Sequence, residues 1–199
     1  MSQSQPQNPM IAYLERLVQQ REHGNSTARA ALAVLRRGLG RPPGETADVF
    51  PHVVPFLRVD AHPDEYDAYE LVATLFALHQ ITWHRESHEP WRLTNLGASF
   101  AMLRQSRGSE SIEGRFTALL NCHRDSLPSH LRHAVSLLKS SDIRIDWEQL
   151  LRDVLRWQGE DRRVQKEWAR AYWSSVPGET TNSSESETTV EAPSPGDVL

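Results

Sequence analysis

The sequence has little cysteine and no long apolar run, and each shortage excludes a class of protein. Its single cysteine, Cys122, permits no disulfide within the chain. The longest mostly apolar stretch, Tyr69 to His79, is interrupted by Glu70 and Thr74 and is far shorter than the roughly 20 residues of a spanning helix. The N-terminal residues lack the positive charge and the apolar region of a signal peptide. We therefore expect a cytoplasmic protein that does not enter a membrane.

Motifs of metal-dependent chemistry are also lacking. The sequence contains neither an HExxH nor a paired CxxC motif. Three neighbouring histidines, His79, His84 and His88, have no sulfur ligand nearer than Cys122. The acids that follow Pro63 lie in a predicted first helical turn, where the helix dipole explains them without a metal. We expect neither a metal nor another cofactor.

The net charge of −4 hides a segregation of charge along the chain. All 22 basic residues lie at or before Arg170, so residues 1–175 carry these 22 bases against 21 of the 26 acids. Only Lys139 and Lys166 are lysines, and the arginines offer planar forks that suit phosphate. Residues 176–199 are rich in Ser, Thr, Glu and Pro, and we expect a disordered acidic tail there.

Apolar residues recur at spacings of three and four through residues 10–175, which is the period of a helix. The predicted fold is an all-α bundle of about eight to nine helices, preceded by a disordered leader at residues 1–9. Residues 109–173 have the pattern of four consecutive amphipathic helices. One alternative is therefore a bundle divided into a smaller N-terminal part and a C-terminal four-helix subdomain. Residues 45–57 are broken by Pro51 and Pro55 and predict short helical turns only.

Six tryptophans invite a base-stacking interpretation, as in proteins that bind single strands. Their spacing favours core packing instead, because four of them fall in register with Leu and Val: Trp147, Trp157, Trp168 and Trp173.

The segment TARAALAVLRRGLG carries the first of two predicted basic helix faces. At 100° per residue its leucines share one stripe, and Arg29, Arg36 and Arg37 form another, which Arg41 extends. No acid occurs between Gly24 and Gly44. These guanidinium groups therefore lack a carboxylate partner in their own segment and are expected to be available to phosphate. A solvated helix face is the alternative.

The second basic face is formed by Arg132 and Lys139, which are seven residues apart and hence on one side of a helix. Arg124 and Arg144 are expected to widen this face. Arg107 is predicted on an exposed linker, and Arg115 at the edge of the apolar face of the following helix.

The order of these segments resembles the CasB family, the small subunit of the type I-E CRISPR surveillance complex called Cascade. The resemblance covers about residues 10–173 and includes neither the leader nor the acidic tail. It is carried by ARAALAVLRRGLG, LGASFAMLRQ, SIEGRFTALL, HLRHAVSLLKSSDIRIDWEQLLRDVLRW and VQKEWARAYW, in that order.

The resemblance implies an all-helical protein without a catalytic site, present as a head-to-tail pair in the complex. The implied partners are the backbone and large subunits, a second copy of the chain, guide RNA and target DNA. Matching basic positions would contact phosphates and stabilise the R-loop, with carboxylates of neighbouring subunits as alternative ligands. These positions are Arg29, Arg36, Arg37, Arg115, Arg132 and Lys139, joined from flanking loops by Arg107 and Arg144.

Three other classes of protein remain as alternatives. A helix-turn-helix regulator would also be helical and basic, but no helix with base-reading residues is identifiable at the required place. An enzyme using Asp64, Glu65 and the histidines lacks a motif, and the adjacent Cys122 and His123 would point roughly 100° apart on a helix. A purely structural adaptor would use the arginines for protein partners.

Overall fold

The structure, a computed structural model, describes residues 7–83, 94–107, 110–159 and 161–174, except for the side chain of Glu110. These ranges contain nine α-helices and confirm the predicted all-α fold. Their only pairing of strand type is an isolated bridge between Thr82 and Ile145. The helices are α1 (Pro9–Glu22), α2 (Ser26–Gly38), α3 (Phe50–Val53), α4 (Pro63–Leu78), α5 (Leu96–Arg107), α6 (Glu110–Asn121), α7 (Leu127–Lys139), α8 (Trp147–Leu155) and α9 (Arg163–Trp173).

Some predictions lie outside the described residues: the acidic tail, most of the leader, and His84 with His88. At the inner end of the leader, Asn8 caps α1 and its Oδ1 accepts from the amide of Met10 at 2.9 Å. Asp146 caps α8 in the same way, accepting from the amide of Gln149 at 2.8 Å. Both side chains satisfy first-turn N–H groups that have no partner within the helix.

Helix α4 forms the centre of the bundle, packed against α1, α2, α3, α7 and α8. Its side chains are buried on nearly every face, and the ring of Phe76 meets that of Trp147 edge-on with 5.4 Å between centroids. Between α2 and α4 the chain makes only α3 and two 3-10 turns, as the prolines of that segment predict. In the described ranges no helix combines the length and apolar content that crossing a membrane requires.

The tryptophans form much of the C-terminal core. Trp147, Trp157 and Trp168 are at most 3% exposed, and the rings of Trp157 and Trp168 lie 5.1 Å apart. The prediction for Trp173 is wrong, since 39% of this residue is exposed. Trp173 is the last residue of α9. The centroid of its ring lies 4.9 Å from that of Tyr172, at the outer side of the core.

Helices α5 and α9 approach closely because a glycine lies between them. A Cβ atom on Gly97 would lie 2.7 Å from the carbonyl carbon and 2.8 Å from the Cα of Trp168. No side chain fits there, and backbone cannot rotate aside as a side chain can. This contact holds α9, and with it the C-terminal end of the described fold, against α5.

Replacing Gly97 with Ala is expected to destabilise the protein by about 2–3 kcal/mol, because the added methyl group must push α5 and α9 apart. Gly114→Ala is the matched control, since a Cβ at this helical glycine meets nothing within 4 Å. Because alanine loses less backbone entropy on folding than glycine, Gly114→Ala should raise the stability of the protein by up to about 1 kcal/mol. Urea unfolding of both variants measures the difference, and equal changes would contradict the close approach.

Candidate nucleic-acid interface

Helix α2 separates an apolar face from a basic one. Leu32 and Leu35 are buried, while Arg29 and Arg37 are exposed on the solvent side. Arg41 is exposed just beyond the helix end. The stripe predicted from 100° per residue is therefore present, with its leucines turned inward as expected.

Arg36 is not as available as predicted. Its Nε and Nη2 both donate to the carbonyl of Ala77, at 3.2 and 2.9 Å, and Gln80 donates to the same oxygen at 3.3 Å. Ala77 lies in the last turn of α4, whose carbonyls have no partner within their own helix. Arg36 thus joins α2 to α4, which leaves Nη1 for an external ligand.

Arg37 also has a partner, which comes from outside the acid-free segment between Gly24 and Gly44. The carboxylate of Asp48, eleven residues further along, lies 4.0 Å from its Nη2. Both side chains are more than 60% exposed. A long, exposed ion pair of this kind contributes little to stability, so Arg37 can exchange Asp48 for a phosphate at small cost.

The guanidinium of Arg132 brings the second basic face against the first. A Cβ on Gly40 would lie 3.3 Å from Cζ of Arg132 and closer still to Nη1, so a side chain at position 40 would displace this guanidinium from the place that it occupies. Gly40 has a φ of 81°, in the left-handed region that favours glycine. The charge of Arg132 on α7 therefore lies directly beside the turn that carries Arg41.

This turn is held from inside the bundle. Gly44, with a φ of 80°, donates its amide to Oε2 of Glu70 at 2.9 Å. Glu70 belongs to α4 and is only 3% exposed, so the hydrogen bond satisfies a buried carboxylate. The turn at residues 40–44 is thereby anchored at its far end.

The two predicted faces thus form one cationic surface, which we call the α2–α7 surface. Lys139 lies two turns beyond Arg132 on the same side of α7 and is exposed. The members of the surface are Arg29, Arg36, Arg37, Arg41, Arg132 and Lys139. Asp48 is the one carboxylate that forms an ion pair with it among the described residues.

Arg107 and Arg144 lie at the C-terminal end of α7. Arg107 is the last residue of α5, not part of a linker as predicted, and its guanidinium donates to the carbonyl of Ser140, next to Lys139. The guanidinium of Arg144 lies over the ring of Trp83, with 4.7 Å between Cζ and the centroid. Both are exposed, and Arg107 continues the cationic surface beyond Lys139, whereas Arg144 lies over Trp83.

Arg115 and Arg124 are placed differently. Arg115 is exposed on α6, and no hydrogen bond or ion pair in the described chain ties it to the α2–α7 surface. Arg124 is only 18% exposed, because it donates to the carbonyl of Asp64 at 3.0 Å and pairs with its carboxylate at 3.5 Å. Arg124 therefore joins α4 to the start of α7 and does not widen the basic face.

Two further arginines bind main-chain carbonyls that could not be predicted from the sequence. Arg104 donates to the carbonyl of Tyr172 at 3.2 Å, and Arg162 donates to that of Leu120 at 2.6 Å. Both join elements far apart in sequence, and helical periodicity carries no information about such partners. The arginines thus divide into those that build the bundle and those that face outward.

Two buried titratable groups, Asp153 and His79, have structural partners. The pKa of Asp153 is raised to about 6, because burial raises it by more than the hydrogen bonds from Trp168 and Gln149 lower it. Its oxygens accept from Nε1 of Trp168 at 2.6 Å and from Nε2 of Gln149 at 2.7 Å, which joins α8 to α9. Burial likewise lowers the pKa of His79, whose Nε2 lies 2.6 Å from the carbonyl of Ile143.

The acids and histidines considered as metal ligands do not converge. Asp64 pairs with Arg124 and lies 3.5 Å from Nδ1 of His62, and the buried His79 contacts a main-chain carbonyl. Among the described residues no three His, Cys, Asp or Glu side chains are arranged to hold a metal ion.

Comparison with known proteins identifies the family. The sequence model of CRISPR-associated protein Cse2 matches residues 31–173. The CRISPR-associated protein Cse2 of Thermus thermophilus is 36% identical over 183 residues, which are 92% of this chain and 98% of the relative. The chain belongs to the Cse2 family. The predicted resemblance to CasB is confirmed.

Solved structures related to the Cse2 family share the fold. M. ruber CasB is 39% identical and has a TM-score of 0.64, with 74% of this chain and 85% of that chain covered. A chain of a CRISPR RNA-guided surveillance complex is 28% identical and has a TM-score of 0.66, with 84% and 95% covered. The helical order that positions the α2–α7 surface is thus the fold of CasB.

Arg36 and Arg29 should differ in what they contribute to stability. Arg36→Ala removes two hydrogen bonds to α4 and is expected to lower the free energy of unfolding by about 1 kcal/mol. Arg29→Ala, an exposed change on the same helix, is expected to stay within about 0.5 kcal/mol of wild type. Thermal unfolding measures both, and identical melting temperatures would contradict the role assigned to Arg36.

Proposed function

We propose that this chain is the non-catalytic small subunit of a type I-E CRISPR Cascade surveillance complex. In this role the α2–α7 surface contacts phosphates without regard to base sequence and stabilises the R-loop in antiviral defence. Membership of the Cse2 family and the similarity to a chain of an RNA-guided surveillance complex support assembly into such a complex. Its partners there are the backbone and large subunits, a second copy of the chain, guide RNA and target DNA.

One observation carries the nucleic-acid part of the proposal: Arg132 reaches across to Gly40, so cations of two helices lie on one surface. Arg37 and Lys139 flank this meeting point and are exposed. Guanidinium groups bind phosphate oxygens through charge-assisted hydrogen bonds. Phosphates carry no sequence information, so such a surface accepts any strand.

The energetics suit a protein that acts on an R-loop. The RNA–DNA hybrid is about as stable as the DNA duplex that it replaces, so strand exchange is nearly balanced. A hydrogen bond to a charged group contributes about 1.5–3 kcal/mol. A few such contacts to a separated strand are enough to favour the open state, and no base-specific contact is needed.

The remaining positively charged positions fit the same role in part. Arg107 extends the surface past the end of α7, and Arg144, over Trp83, is a further exposed position for a phosphate contact. Arg115 lies apart on α6, where it is free to meet either nucleic acid or a carboxylate of a neighbouring subunit. A second candidate function is that of a purely structural adaptor, in which exposed arginines bind carboxylates of neighbouring subunits, and the exposed Arg115, apart from the α2–α7 surface, favours it.

Removing charge from the α2–α7 surface should lower the salt dependence of DNA binding. The double variant Arg132→Ala/Lys139→Ala removes two proposed phosphate contacts and should reduce the slope of log K against log salt by about 1.4–1.8. Binding of the full chain to single-stranded and duplex DNA of unrelated sequences, measured by fluorescence anisotropy over a salt series, gives this slope.

The matched control is Arg58→Ala/Arg163→Ala, which removes the same charge from two exposed residues that already pair with Asp60 and Glu167. Its slope should stay near that of wild type. If the control variant lowered the slope as much as the surface variant, DNA would be attracted by the overall charge of the protein and not by the α2–α7 surface. If wild type does not bind DNA, or if the surface variant has the same slope as wild type, the arginines bind protein partners. The adaptor function would then replace the nucleic-acid function.

A further inference from the structure

The C-terminal end of the described fold lies beside a cation. Arg104 on α5 donates to the carbonyl of Tyr172 at 3.2 Å, and its Cζ lies 4.4 Å from the centroid of the Tyr172 ring. Tyr172 precedes the last described residue, Ser174, by two positions. The chain beyond α9 therefore begins next to a guanidinium group.

From Arg104 a series of cations leads to the α2–α7 surface. Arg107 lies three residues further along α5, on the same side of the helix, and donates to the carbonyl of Ser140. Ser140 follows Lys139, which is two turns from Arg132 on α7. We call Arg104, Arg107, Lys139 and Arg132 the cationic path. In the described part of the chain, the nearby acids Glu113 and Asp142 form no ion pair with it.

The sequence beyond α9 has the opposite charge. Residues 175–199 contain five acids and no Lys or Arg: Glu179, Glu185, Glu187, Glu191 and Asp197. Twenty-five residues reach at most about 85 Å when extended. A domain of this size has a radius of gyration of about 15 Å, so every point on the cationic path is within reach.

We propose that residues 175–199 bind along the cationic path and compete there with nucleic acid. The competition with nucleic acid rests on the proposed phosphate-binding function. The contact between the acidic segment and the cationic path does not require DNA. Carboxylates of a tethered segment act at an effective concentration in the millimolar range, so weak ion pairs suffice for partial occupancy. Because Arg107, Arg132 and Lys139 are exposed, salt should release the segment.

Neutralising the acids tests the competition. The variant with Glu179→Gln, Glu185→Gln, Glu187→Gln, Glu191→Gln and Asp197→Asn keeps the chain length and should bind DNA about 2- to 10-fold more tightly at low salt. The advantage should vanish near 1 M salt, where the Debye length falls to about 3 Å. The control carries five neutral changes in the same segment, Thr180→Ala, Thr181→Ala, Ser183→Ala, Ser184→Ala and Ser186→Ala, and should bind like wild type. Equal affinity of the neutralised variant and wild type would overturn the proposal.

Carbodiimide cross-linking locates the contact without DNA, since it joins carboxylates to lysine amines and the chain has only two lysines, Lys139 and Lys166. Peptide mapping should find the acidic segment joined to Lys139 at low salt and not in the neutralised variant. Cross-links to Lys166 alone, or none, would overturn the proposal. Cross-links to Lys139 in a protein that binds no DNA would support the contact and contradict the proposed function instead.

Discussion

The burial of α4 is the constraint on which the cationic surface depends. Polar groups inside a protein need hydrogen-bond partners, and those of α4 receive them from the basic segments around it. The carbonyl of Ala77 accepts from Arg36, and the carboxylate of Glu70 accepts from the amide of Gly44. These three hydrogen bonds fix α2 and the turn that follows it. Arg132 then packs against a turn whose position is set from within the bundle.

Much of the fold is predictable from the sequence because helical periodicity is a local property. The spacing of apolar residues indicates the long helices, and the prolines indicate the short turns between α2 and α4. Trp173 shows where this reasoning fails. It is in register with the buried residues of α9, but at the end of the helix its cover is incomplete: its ring lies 5.9 Å from that of Phe116 on α6, and 39% of the residue stays exposed. Periodicity identifies which side of a helix is apolar. It does not show how far along that side the neighbouring helices pack.

The candidate site is predictable only in part, for the same reason. The stripes on α2 and α7 follow from 100° per residue, and the structure retains both. Their meeting at Gly40 depends on tertiary packing, as does the pairing of Arg37 with Asp48. Nothing in the local sequence distinguishes Arg36, which holds α4, from its outward-facing neighbours. An arginine stripe therefore indicates a candidate surface, and the structure shows which of its members are already held by the rest of the bundle.

The most direct measurement compares single-stranded DNA affinity in Gly40→Ala and Gly44→Ala. Both glycines have a φ near 80°, so a side chain strains both, but only at Gly40 does the added methyl group meet Arg132. The account predicts similar losses of stability and weaker DNA binding, by about 10-fold, for Gly40→Ala alone, because the displaced guanidinium loses one charge-assisted contact. Equal DNA affinities in the two variants would contradict a phosphate-binding surface built where α2 and α7 meet.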